Sequence, residues 1–60
     1  MKYKVIINDK IVYTSHRLDF CEKYIIEKIP NCTFYIIDGV YASPDKKIIG
    51  KIQQEEMGWQ

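Results

Sequence analysis

Two short apolar runs flank a polar pair within the first fourteen positions of the chain. In KYKVII (2–7) and KIVYT (10–14) the residues are β-branched or aromatic, the composition of strands. Asn8-Asp9 between them tolerates positive φ and suits a two-residue turn. A regular hairpin about that turn sets Ile7 opposite Lys10, Ile6 opposite Ile11, Val5 opposite Val12 and Lys4 opposite Tyr13. One face then carries Tyr3, Val5, Ile7 and Val12. The other carries Ile6, Ile11 and Tyr13, with Lys2 and Lys4 at its rim. Both faces are apolar.

The period then changes. Leu18, Cys21, Ile25 and Ile29 recur at helical spacing within HRLDFCEKYIIEKI, with Asp19, Lys23 and Glu27 opposite. Thr14-Ser15 offers an N-cap, Asp19 and Lys23 are spaced for an ion pair, and Pro30-Asn31 ends the helix. Phe20, Tyr24 and Ile26 flank the stripe, so the helix is more apolar than a single sheet contact requires.

Alternation returns in CTFYIIDGVYAS. Asp38-Gly39 between apolar runs is a strong hairpin signal and predicts strands at 32–37 and 40–43. Cys32, Phe34 and Ile36 share one face, Tyr35 and Ile37 the other. SPDKK supplies another turn, and KKIIGKI a last strand at 47–52, where Gly50 relieves crowding or marks a bulge. The predicted fold is α+β: a small antiparallel sheet of four to five strands, ordered β-β-α-β-β-β, with one helix packed on one face. Residues 1–52 form the single domain, and 53–60 a flexible or weakly helical tail bearing Trp59.

Length sharpens the meaning of this pattern. A 60-residue domain buries only about 60% of the surface its unfolded chain exposes, and such domains are marginal. One helix covers one face, which leaves Ile6, Ile11, Tyr13, Tyr35 and Ile37 pointing away. Contiguous apolar surface of that kind marks an interaction site, and Tyr and Trp are enriched in binding hot spots. These five residues and Trp59 form the expected partner or dimer interface, and a homodimer is the simplest closed arrangement. A twisted sheet or a folded-back tail is the competing way to cover the same face.

Charge is balanced, with nine basic and eight acidic residues. It carries neither the basic excess of a typical nucleic-acid binder nor the acidic excess of a DNA mimic. The alternative reading is a small nucleic-acid-binding module using Lys2, Lys4, Lys46, Lys47 and Lys51 with nearby tyrosines. Lysine at a strand edge is equally an ordinary guard against aggregation.

Candidate chemistry is sparse. His16 is the only histidine, and Ser15 beside it is explained by capping, so the checklist for a catalytic base is not met. Cys21 and Cys32 fall short of a four-ligand zinc set and read as small buried hydrophobes. Asp9, Asp38 and Asp45 all fall in turns, where aspartate is favoured by its own backbone hydrogen bonds. No catalytic residue, cofactor or metal is expected, and the chain is read as a non-enzyme. Neither a signal peptide nor a membrane span is visible, so a cytoplasmic protein is expected. Eleven Ile against one Leu, and eight Lys against one Arg, point to an A/T-rich genome. Together these features predict a small phage or mobile-element accessory protein that binds and inhibits a host protein as a homodimer.

Overall fold

Asn8 and Asp9 both adopt positive φ, 51° and 67°, the backbone that a tight turn between two twisted strands requires. The computed structural model describes residues 2–55, and here strands β1 (Lys2–Ile7) and β2 (Lys10–Ser15) fold about that turn. Helix α1 (Leu18–Lys28) follows, then β3 (Thr33–Tyr35), β4 (Val40–Ala42) and β5 (Ile49–Glu55). All strands are antiparallel in one five-stranded sheet of order β2-β1-β5-β4-β3. The expected α+β fold and element order are observed.

β1 and β5 form the centre of the sheet. Val5 faces Ile52 and Ile7 faces Gly50 across this ladder. Asn8 fastens the turn to the start of β5: its N–H donates to the Ile49 carbonyl (2.9 Å), and its side-chain oxygen accepts from the Ile49 N–H (3.1 Å). At the other end Lys4 and Glu55 make an ion pair at 3.7 Å. Partly exposed as it is, this pair contributes at most about 1 kcal/mol.

The helix packs on β1, β2 and β5 through the predicted stripe. Cys21, Ile25 and Ile29 are fully buried with Val5. Burial of each Val or Ile there contributes about 1.5–3 kcal/mol. Leu18, expected in the stripe, is 42% exposed, because it sits in the first turn and borders the groove that the helix leaves open. The helix starts later than predicted. Ser15 belongs to β2, and its hydroxyl accepts the Arg17 N–H at 3.0 Å, while Arg17 occupies the cap position without a side-chain capping bond. Asp19 pairs with Arg17 through two hydrogen bonds (3.1 and 2.9 Å), not with Lys23, because the guanidinium fork fits a carboxylate two residues away.

The strands also differ from those predicted. The register of β1 and β2 shifts between Val5 and Ile6, with Val5 opposite Tyr13 and Ile6 opposite Ile11. Val12 is the extra residue of a β-bulge. The β3–β4 loop holds four residues, 36–39, not two: Gly39 takes φ 67°, and its N–H closes on the Tyr35 carbonyl at 2.8 Å. The last strand begins at Ile49 and runs to Glu55, so residues 53–55, read as tail, continue the ladder with β1. Its start is delayed by a loop in which the Ser43 hydroxyl donates to Asp45 (2.6 Å) and accepts the Ile48 N–H (3.2 Å).

Candidate protein-binding surfaces

The β3–β4 hairpin projects an apolar tip. Strand pairing stops at Tyr35 and Val40, so the next two residues lie in the loop and have no sheet neighbours. Ile36 is 81% and Ile37 97% exposed. Lys46, itself at positive φ, places its ammonium 5.1 Å from the centroid of the Tyr35 ring beside this tip.

A groove lies next to the hairpin on the helix side. Because α1 rests on β1, β2 and β5, the sheet beyond β5 is left open. Tyr3, Leu18, Phe34, Tyr41 and Ile52 line the gap, with Glu22 at the helix edge. The Phe34 and Tyr41 rings meet at 4.7 Å with planes tilted by 43°. Burial, reinforced by the nearby Glu22 carboxylate, raises the pKa of the Tyr41 phenol, which keeps it a neutral donor and acceptor.

The open face of the sheet is mixed. Strand register puts Lys2, Lys4, Gln53 and Glu55 together at one end. Toward the Asn8-Asp9 turn it becomes apolar, with Ile6 and Ile11 directly opposed and Ile6, Val40 and Ile49 around a shallow dish.

The expected interface residues are thus divided. Ile6, Ile11 and Tyr35 lie on the open face as read, and Ile37 lies at the hairpin tip and not on a strand. Tyr13 does not point away: the bulge at Val12 turns it to the helix side, where its ring stacks on Tyr24. Trp59 lies outside the described residues. Leu18, Phe34 and Ile36 are exposed or groove-lining positions that period counting set on the helix stripe or on the face opposite Tyr35 and Ile37, and Tyr41 is a groove-lining residue that it did not single out; Ile36 in particular required knowing the loop length.

The lysines of the alternative reading are also divided. Lys2, Lys4 and Lys51 share the open face, with Lys4 paired to Glu55. Lys46 stands by Tyr35, and Lys47 is exposed, its N–H donating to Asp45. Tyr3, Tyr13, Tyr24 and Tyr41 pack on the helix side, leaving Tyr35 on the lysine-bearing face. Stacking platforms interleaved with cations, which single-strand binding needs, are not assembled there.

Chemical groups remain dispersed. Cys21 is buried, Cys32 is half-buried, and both are free thiols. His16 is exposed between β2 and α1. Among the described residues no three His, Cys, Asp or Glu side chains cluster to hold a metal ion, and no helix is long and apolar enough to cross a membrane. Comparison with protein-family models, with curated proteins and with solved structures gave no match.

Proposed function

We propose that this chain is a non-enzymatic interaction domain that acts as a homodimer and binds another protein through the tip of the β3–β4 hairpin. The observation that carries this reading is the pair Ile36 and Ile37, 81% and 97% exposed side by side. Two isoleucines held in water do nothing for the fold, whereas burying each against an apolar cleft of a partner contributes about 1.5–3 kcal/mol. An apolar knob flanked by the Lys46–Tyr35 pair has the make-up of an interface centre with a polar rim. The A/T-rich composition supports a phage or mobile-element source, and with it a host protein as the target to be inhibited.

The test compares the wild-type protein with an Ile36→Ser/Ile37→Asp variant as baits in lysate of a low-GC bacterium. Neither side chain supports the core, so the two baits should give the same circular dichroism spectrum. Capture of a defined protein by the wild type alone supports the reading. Equal capture by both baits, or none above background, defeats it.

A further inference from the structure

We propose that two copies of this chain pair through the dish on the open face, about a two-fold axis that sets Lys51 of each copy against Asp9 of the other. This deepens the homodimer part of the preceding reading and names its surface. The dish has a volume of about 270 Å³, with Ile6, Val40 and Ile49 around it and Asp9 and Lys51 among its lining. Ile49 is 44% exposed, and Ile11, opposite Ile6 in the ladder, is 58% exposed. The apolar side chains therefore run from Val40 on β4 through Ile49 on β5 to Ile6 and Ile11 at the sheet edge, with Lys51 beside Ile6.

The charges around the dish select a second copy as its occupant. Asp9 and Lys51 have opposite sign, and neither makes an ion pair among the described residues. Asp9 is held in place because its neighbour Asn8 is tied to Ile49 by two hydrogen bonds. Lys51 stands between Ile6 and Val40 in the ladder and Asp9 at the turn end of the dish, and a two-fold rotation about an axis between them brings each acid to the other copy's base. Like-signed pairing in a wrong register is penalised by the same groups. The sheet edges offer a poorer route. β3 has only three residues, β2 is bulged at Val12 and begins at Lys10, and short, bulged or lysine-bearing edges resist strand addition.

The experiment is light scattering after size exclusion, over a wide concentration range, on five proteins with matched circular dichroism: wild type, Asp9→Lys, Lys51→Glu, the double reversal, and Ile49→Asp. The wild type should run at twice the chain mass. Each single reversal should raise the dissociation constant at least about tenfold, and the double reversal should return it to within about threefold of wild type. Ile49→Asp should be monomeric. A wild type that stays monomeric at every concentration overturns the pairing, as does a dimer indifferent to both reversals or to Ile49→Asp. The hairpin capture experiment reads a different surface, so its result stands or falls separately.

Discussion

Tyr13 of β2 and Tyr24 of α1 stack with ring centroids 4.5 Å apart and planes only 8° from parallel. Lys28, one helical turn further on, sets its ammonium 5.4 Å from the Tyr24 centroid. The stack fastens the edge strand to the helix in a domain whose fully buried core, among the described residues, is the cluster of Val5, Cys21, Ile25 and Ile29. A double-mutant cycle on Tyr13→Ala and Tyr24→Ala should give a coupling energy of about 0.5–1.5 kcal/mol. Urea unfolding of the four proteins reads it, and additivity would mean that the rings are neighbours without mutual stabilisation.

Tyr13 also shows where sequence reading reached its limit. The hairpin itself was legible, since Asn8-Asp9 between β-branched runs specifies a turn with positive φ, and so was the helical stripe of Cys21, Ile25 and Ile29 ending at Pro30. Ile6 and Ile11 were placed on the open face correctly because they lie on the turn side of the bulge. Beyond it, the extra residue Val12 inverts the parity, and a period-two argument has no means of detecting an insertion that only the partner strand reveals. Asp38-Gly39 marked a hairpin but not its loop length, because Gly39 serves as the closing residue of a four-residue loop and not as the second of a two-residue turn. The groove beside α1 depends on which strands the helix covers, and that follows from sheet order, which local patterns do not encode.

Gly50 supplies a sharper test of the packing. A Cβ built there would lie 2.7 Å from Ile25 Cδ1 and 3.1 Å from both Ile25 Cγ1 and Ile29 Cδ1. Both isoleucines are fully buried, so they have little room to yield. Gly50→Ala should therefore destabilise by about 1–3 kcal/mol through overpacking. Ile25→Val removes the Cδ1 that clashes most. In the double variant the loss should be smaller than the sum of the two single losses, and a simple sum from thermal melts would contradict this account of the crowding.

Gly39 tests the loop by backbone conformation alone. Its φ is 67°, and nothing lies within 4 Å of a Cβ placed there. The cost of Gly39→Ala is then conformational, about 1–2 kcal/mol, with no steric part. Asn tolerates this region better than Ala, so Gly39→Asn should cost less. Equal losses from the two substitutions in chemical denaturation would point to a contact at this position rather than to the dihedral.

The alkaline limit of stability follows from two protons, one on the buried Cys21 thiol and one on the half-buried Tyr41 phenol. Burial, with smaller contributions from the Asp19 and Glu22 carboxylates, pushes the Cys21 thiol above its usual range. The Tyr41 phenol is raised for the same leading reason, with Glu22 and Cys32 adding to it. Each group holds its proton more tightly folded than unfolded. Its contribution is complete below the unfolded pKa, roughly 8.5 for a thiol and 10 for a phenol, and is lost as pH climbs through the raised folded value. Urea midpoints should therefore not vary with pH on account of these groups between pH 6 and 8, where their contribution is complete, and should fall above about pH 9, the thiol acting first. Cys21→Ala lowers stability at neutral pH by vacating core volume but should flatten the decline between about pH 9 and 10. Tyr41→Phe should flatten the part above it. If both variants fall as steeply as the wild type, the alkaline loss lies with other groups, and the two side chains are not held neutral by the core as described.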